Sequence, residues 1–178
     1  MLLQVMGECS VANQFITKLR KLAPLSEQAV TALSDATADP QSYEARHDLI
    51  REGDKPGPLL VILQGWACRY KILPNGSRQM LAFLLPGDCC DLHVHLLAEM
   101  DHGIQTVTPC VVAKLARHTI DTIFDEHPSV MKAMYVAQLI DEGTLRAWIT
   151  SIGRRSSIER VAHLMCELYL RARMSVVR

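Results

Sequence analysis

The sequence predicts an α+β fold: a β-roll of the jelly-roll type, flanked by helices and followed by one long helix. Glycines recur at positions 53, 65, 76 and 87, at intervals of 11 or 12 residues, with short apolar segments between them. Turn residues at this spacing are typical of compact β-sandwiches and barrels. After Pro128, by contrast, no proline interrupts an apolar run that continues to position 152. With 178 residues, of which 49% are hydrophobic, the chain can bury one good core without disulfides or a structural metal.

Two short helices are predicted before the β-roll. Apolar residues recur at helical spacing after Ser10, and Ser26 is a suitable N-cap for a second helix. We expect both to be packing helices. Their apolar positions are Phe15, Ile16, Leu19 and Leu22 in the first, and Val30 and Leu33 in the second.

The β-roll is predicted to extend from Tyr43 to about Leu115. Pro74-Asn75-Gly76 indicates a hairpin turn, because Asn and Gly tolerate the positive φ of a tight reversal. The expected strands cover residues 59–63, 66–73, 79–85, 104–107 and 111–115.

A short helix is predicted to end at His127, and a long helix to run from Pro128 to Ile152. Apolar and small residues recur in it with a spacing of three and four, which is the heptad pattern of a helix–helix seam. One reading places this helix on its own β-roll. We favour a homodimer, because a single roll cannot cover both faces of so apolar a helix. The predicted seam comprises Ala133, Val136, Ile140, Gly143, Ala147 and Thr150.

Gly153 is expected to break the long helix, and Ser156 to Glu159 has the S-x-x-E form of a capping box that starts a new one. The new helix has an amphipathic pattern, with its apolar face formed by Ile158, Val161, Met165, Leu168 and Ala172.

Charge is distributed unevenly, although the whole chain is neutral. Residues 1–145 carry 12 Lys/Arg and 17 Asp/Glu (net −5), whereas residues 146–178 carry 7 and 2 (net +5). The basic end is therefore the natural place to expect contact with nucleic acid. The longest segment without a charge, 56–68, is too short to span a bilayer, and residues 1–9 lack the features of a secretory signal. These features predict a cytoplasmic protein, and its six cysteines, which form no CxxC, are expected to be reduced and mostly buried.

Five motifs carry a resemblance to a known family. They are E-G-D at 52–54, L-x-G-W-A-C-R-Y-K at 63–71, L-P-G-D-C-C-D-L-H at 85–93, M-D-H at 100–102 and G-R-R-S-S-I-E-R-V-A-H-L-M-C-E-L at 153–168. With these motifs the chain resembles the Crp/Fnr family of bacterial transcription regulators, in particular a branch found in rhizobia and their relatives, from about residue 14 to 173.

The resemblance implies three parts. Residues 1–127 would form a cyclic-nucleotide-binding-like sensor roll with N-terminal helices, residues 128–152 a dimerisation helix, and residues 153–178 the first helix of a DNA-binding domain. The winged helix-turn-helix that reads DNA in this family is not present in this chain. A signal in the roll would pass through the dimer helix to that reader. Arg154 and Arg155 are candidates for contact with DNA phosphates, although they could equally be part of a solvated helix face.

In family members that bind a cyclic nucleotide, a Glu after the P-G-D turn holds the ribose and an Arg pairs with the phosphate. Here Asp91 stands in the position of that Glu, and residues 79–113 contain no Lys or Arg. Since a buried phosphate needs such a donor, a cyclic nucleotide is not expected, nor is any other cofactor. An unknown small-molecule effector is the alternative, in a pocket formed by Cys90, Asp91, Leu92, Met100, Asp101 and His102.

Iron–sulfur and haem sensing are also not expected. A cluster needs several closely spaced thiolates near the N-terminus, where only Cys9 lies, and no histidine has a recognisable haem-binding context.

The D-x-H-x-H segment leaves one enzymatic alternative open, a metal-dependent enzyme of the cupin type. His93 and His95, with Asp91 and His102, are weak candidates for zinc or iron ligands. We favour their role as polar residues at the rim of a pocket, and predict no catalytic residue, because the chain lacks a nucleophile elbow, a P-loop, a dinucleotide fingerprint and HExxH. A third possibility is a ligand-binding module that acts only through protein contacts.

Overall fold

The computed structural model describes residues 13–90, 92 and 96–175. The expectations placed on Cys9, Ser10, Asp91, His93 and His95 therefore lie outside the described residues. The described helices are α1 (Gln14–Leu22), α2 (Glu27–Ala36), α3 (Arg117–Glu126), α4 (Pro128–Arg154) and α5 (Ser157–Ser175). The strands are β1 (Gln41–Tyr43), β2 (Asp48–Ile50), β3 (Leu59–Gln64), β4 (Ala67–Ile72), β5 (Arg78–Leu84), β6 (Cys89–Cys90), β7 (Gly103–Thr106) and β8 (Cys110–Leu115).

These strands form two four-stranded antiparallel sheets, in the orders β1-β8-β3-β6 and β2-β7-β4-β5. The predicted α+β fold with a jelly-roll-type β-roll is confirmed, and each of the five predicted strands is present to within one residue or so at its ends. The sequence analysis missed the short strands β1, β2 and β6.

Strand β3 shows why the roll lies beneath the helices. Leu59 and Val61 pack into a core with helices α1 to α4, whereas Leu60 and Ile62 pack into a second core between the sheets. Since successive side chains of a strand point to opposite faces, a run of four apolar residues requires a covered layer on both sides. The first sheet is therefore sandwiched between the helices and the second sheet.

The four recurring glycines all have positive φ, between +78° and +92°. At Gly65 the need for glycine is also steric, because a Cβ atom would lie 2.1 Å from the backbone oxygen of Pro109. The predicted turn after Pro74 is confirmed by hydrogen bonds from the Leu73 amide to the Ser77 oxygen (2.8 Å) and from the Gly76 amide to the Leu73 oxygen (2.8 Å).

The helix starts and ends follow from their caps. The Ser26 hydroxyl accepts a hydrogen bond from the Ala29 amide, which confirms the predicted start of α2. The Ser156 amide donates to the Glu159 carboxylate (2.8 Å), and the Glu159 amide donates to the Ser156 hydroxyl (3.4 Å), so the capping box before α5 is also confirmed.

The prediction that Gly153 ends the long helix is wrong. Helix α4 continues through Gly153 to Arg154, and the backbone becomes extended at Arg155. The capping box fixes the start of α5, and a glycine in the last helical turn is tolerated at a cost of about 1 kcal/mol. The break between the helices therefore lies two residues later than expected.

Candidate functional site

A pocket of about 430 Å³ lies between strands β4 and β5, the segment that follows β6, and helix α4. A pocket of this size is within the range that encloses a small molecule. Its apolar lining comes from the roll and from the helix together: Leu81, Leu92, Leu97, Met134, Ala137 and Leu145. Its polar lining comprises Arg69, Cys89, Asp101, His102, Gln138, Asp141 and Glu142.

An ion pair joins the two walls of the pocket. Arg69 of β4 lies 3.7 Å from the carboxylate of Asp141 on α4, and both side chains are mostly buried. Burial raises the pKa of Asp141 above its usual value, although the positive charge of Arg69 acts in the opposite direction. The roll and the long helix are thus linked by a partly desolvated charge pair inside the pocket.

Arg69 corrects the expectation that the pocket holds no cation. The absence of Lys and Arg from residues 79–113 is real, but the fold brings Arg69 to the pocket from the preceding hairpin. The sequence contains a pattern that could have predicted this placement of Arg69: it is two residues after the buried Ala67, and so lies on the same face of the strand. Asp141 has a similar signal: it is four residues after the buried Ala137, on the same side of α4.

The predicted pocket residues are only partly brought together. Leu92, Asp101 and His102 line the pocket, and His102 Nδ1 lies 2.7 Å from Asp101 Oδ1. Cys90 and Met100 are instead almost fully buried in the protein core, with Cys90 between the two sheets. The alternation of β6 directs Cys90 into the sandwich, whereas its neighbour Cys89 lines the pocket.

Of the four predicted metal ligands, His102 lines the pocket, and Asp91, His93 and His95 lie outside the described residues. Among the residues that the structure does describe, no three His, Cys, Asp or Glu side chains come close enough to hold a metal ion. The Cys89 thiol is an unsuitable ligand or nucleophile, because burial raises its pKa to about 12.

A second group of charges surrounds Asp88, in the turn between β5 and β6. Its carboxylate accepts hydrogen bonds from Lys18 of α1 (2.5 Å), from Arg171 of α5 (2.8 Å) and from the Leu85 amide (2.8 Å). The Asp88 side chain is only 5% exposed. Burial acts to raise its pKa, but the two cations and the amide outweigh burial and hold the pKa below its usual value.

Arg171 extends this group along α5 towards α4. Its guanidinium donates to the Phe83 backbone oxygen (2.9 Å) and to the Glu167 carboxylate (3.0 Å). Glu167 in turn accepts a hydrogen bond from the Trp148 indole nitrogen of α4. The turn between β5 and β6 and the helices α4 and α5 are therefore connected by one hydrogen-bonded network, which the sequence did not predict.

The outer face of α4 is apolar and exposed. Ile140 of the predicted seam is exposed, and Val136, Gly143 and Ala147 are partly exposed. Large apolar side chains beside them are also exposed: Tyr135, Leu139, Ile149 and Ile152. Ala133 is an exception, because it is fully buried within its own chain among the helices and the first sheet. The seam proposed below therefore begins at Val136.

Arg154 and Arg155 lie at the end of α4 and are exposed. No helix in the described part of the chain combines the length and the apolarity that a membrane span requires.

Comparison with known proteins gives a consistent result. Residues 40–127 match the family model of the cyclic nucleotide-binding domain. The nitrogen fixation regulation protein FixK of Bradyrhizobium diazoefficiens is 28% identical over 101 residues, which are 57% of this chain and 42% of FixK. The transcriptional activator protein FnrL of Cereibacter sphaeroides is 25% identical over 150 residues, which are 80% of this chain and 60% of FnrL. The chain thus spans about half the length of these curated relatives.

The structure of FixK2 from Bradyrhizobium japonicum shares the fold. It superposes with a TM-score of 0.67 at 21% identity, over 75% of this chain and 66% of the other. Residues 40–127 are thus similar to a cyclic nucleotide-binding domain, the sequence is similar to those of bacterial transcription regulators, and both findings agree with the predicted resemblance to the Crp/Fnr family.

Proposed function

We propose that this chain is the effector-sensing and dimerisation part of a Crp/Fnr-type transcription regulator that acts in the cytoplasm by binding and not by catalysis. The observation that carries the proposal is the position of the pocket. One of its walls belongs to the roll and the other to α4, whose outer face is apolar and exposed.

This arrangement supports a signalling role because a ligand would contact both walls at once. A ligand shifts a conformational equilibrium only if it interacts differently with the two states. A ligand in the pocket would contact Leu81 of the roll and Leu145 of α4. If α4 moves relative to the roll, the ligand loses one of these contacts, and so it binds the two states with different affinity. The pair formed by Arg69 and Asp141 adds a polar contact that also depends on the distance between the walls.

The effector is not expected to be a cyclic nucleotide. An incoming phosphate would have to compete with Asp141 for Arg69, and Asp101 and Glu142 add two further carboxylates to the described lining. Cyclic AMP and cyclic GMP, added at millimolar concentration, should therefore leave the melting temperature of the protein unchanged. A saturable rise in melting temperature with either compound would contradict this part of the proposal.

The proposed dimer interface is the exposed face of α4, with Val136, Ile140, Gly143, Ala147 and Thr150 at its centre. Gly143 gives a clean test, because a Cβ atom there would meet only the Arg146 guanidinium, at 3.8 Å, within the single chain. A side chain at this position is therefore compatible with the fold of the subunit. A charged one would be buried between two helices in a dimer, without a partner.

We expect light scattering to show a dimer for the natural sequence and for Gly143→Ala, and a monomer for Gly143→Glu. Gly57→Glu is the matched control, because Gly57 is in a loop, lacks positive φ and has open space around it. It should remain dimeric. A monomeric natural chain, or a dimeric Gly143→Glu, would overturn the proposed interface.

DNA reading would belong to a winged helix-turn-helix, which is not among the elements that residues 13–90, 92 and 96–175 form, with Arg154 and Arg155 available for phosphate contacts at its edge. This chain alone should bind duplex DNA weakly, without sequence preference, and lose that binding as salt is raised. Sequence-specific binding by this chain would contradict the proposed division of roles.

A further inference from the structure

Helix α5 contacts the rest of the chain through a side that carries charged residues. The side that contacts the protein contains Glu167 and Arg171, which are mostly buried. In the first half of α5 the predicted apolar face points away from the protein, and Ile158 is 83% exposed, whereas Leu168 and Ala172 nearer the end of the helix are partly buried. Val161 and Met165 on the same face are each 62% exposed. An amphipathic helix normally buries its whole apolar stripe, so the partial burial of Leu168 and Ala172 accounts for only part of the position of α5.

Charged contacts hold the second half of α5 against the roll. Arg171 reaches the carboxylate of Asp88, which also binds Lys18, and in addition donates to the Phe83 backbone oxygen. The contacts join α5 to the turn that precedes β6 and to α1. Removal of one partner from a buried charge pair is strongly unfavourable, because it leaves the other charge desolvated without compensation. The position of α5 therefore depends on a small number of buried polar groups.

The connection to α4 allows α5 to move as a unit. Arg155 has an extended backbone and is exposed, and Ser156 and Glu159 close the start of α5 with their own hydrogen bonds. Helix α5 therefore needs no hydrogen bond from α4 to keep its first turn. It can leave the roll without any unfolding of α4.

We propose that the contacts of Arg171 with Asp88 and Phe83 form a latch that holds α5 against the sensor roll, and that release of this latch is a step of regulation. The latch is adjacent to the pocket, since Cys89 lines the pocket and follows Asp88 directly in the chain. Its regulatory meaning rests on the proposed function, because α5 is the element that would lead to the DNA reader. The latch itself does not depend on the identity of an effector or on DNA.

Hydrogen–deuterium exchange of the full chain tests the latch. Arg171→Gln should increase amide exchange in residues 157–175 at least tenfold, while exchange in β3 and β8 stays unchanged. Arg173→Gln is the matched control on the same helix, because Arg173 is exposed and lies over the Tyr169 ring. It should leave exchange in α5 within twofold of that of the natural chain.

Tryptophan fluorescence gives a second measurement. Trp66 and Trp148 are the two tryptophans, so Trp66→Phe leaves Trp148 as the reporter of the contact with Glu167. In that background Arg171→Gln should shift the Trp148 emission to longer wavelength, as the indole becomes exposed.

Both measurements should be repeated with Gly143→Glu, where the subunit is expected to be monomeric, so that loss of the dimer is not confused with loss of the latch. Unchanged α5 exchange in Arg171→Gln would overturn the latch. Equal acceleration in α5 and in the β-strands would also overturn it, because the variant would then have weakened the whole fold. If the latch result holds while the dimer test fails, the proposed function is wrong and the latch remains.

Discussion

Replacement of Asp88 by asparagine tests the charge network most directly. The substitution keeps the size of the side chain and an acceptor for the Leu85 amide, but removes the negative charge that Lys18 and Arg171 share. Loss of one partner from a buried pair costs about 3–5 kcal/mol. At about 2–4 °C per kcal/mol for a chain of this size, Asp88→Asn should lower the melting temperature by roughly 6–20 °C.

The measurement is thermal unfolding followed by circular dichroism at neutral pH, with Asp121→Asn as the control. Asp121 pairs with Arg117 on the surface of α3, and an exposed pair of this kind contributes about 0–1 kcal/mol. The control should therefore melt within about 4 °C of the natural chain. If Asp88→Asn does the same, the network contributes little to stability and the argument from its burial is wrong.

The same variant should also change the response to acid. The pKa of Asp88 is held below its usual value of 3.8 in the folded chain, chiefly by Lys18 and Arg171 against the effect of burial. A carboxylate with a depressed pKa contributes stability that is present above its unfolded pKa and is lost as the pH falls through the folded pKa. The natural chain should therefore lose stability below about pH 4, and Asp88→Asn should lose less in this range. Parallel pH profiles for the two proteins would refute the assignment.

Two further predictions concern Gly65 and Cys89. Gly65→Ala should destabilise the protein by about 2–5 kcal/mol, because of the positive φ and the contact with the Pro109 oxygen. Gly76→Ala, with a similar φ but open space around it, should cost about 1–2 kcal/mol, and equal losses of stability in chemical denaturation would contradict the steric argument. Cys89 should resist alkylation at pH 8, because a pKa of about 12 leaves about one thiol in ten thousand ionised, while the exposed Cys166 should react readily. Peptide mapping by mass spectrometry measures both rates, and early labelling of Cys89 would contradict this prediction.

The sequence was sufficient for the roll because its determinants are local. The recurring glycines mark turns that only a residue tolerant of positive φ forms easily, and the apolar runs between them are the strands. The capping box of Ser156 and Glu159 was likewise readable from four consecutive residues. Strands β1 and β6 were missed because two or three residues are too few to show a period.

The charge network could not be predicted because its members are far apart in the chain. Asp88 is 70 residues from Lys18 and 83 residues from Arg171. The P-G-D turn also offers a local explanation for Asp88, since its carboxylate accepts from the Leu85 amide three residues earlier. Arg69 could not be predicted for a related reason, because it lies ten residues before the segment 79–113 that contains no Lys or Arg, and only the fold brings it to the pocket.

The turn before β6 links the pocket to helix α5. Cys89 lines the pocket and Asp88, its neighbour in the chain, binds Arg171, so the two functions are separated by a single peptide unit of about 3.8 Å between Cα atoms. β6 is paired with β3 at Cys89 and Cys90, which limits its freedom to move independently of the sheet. A ligand that displaces the pocket wall at Cys89 must therefore move Asp88 as well. The hydrogen bonds of Asp88 measure 2.5–2.8 Å and the ordinary range ends near 3.2 Å, so we expect a wall movement of more than about half an ångström to weaken the latch and favour release of α5.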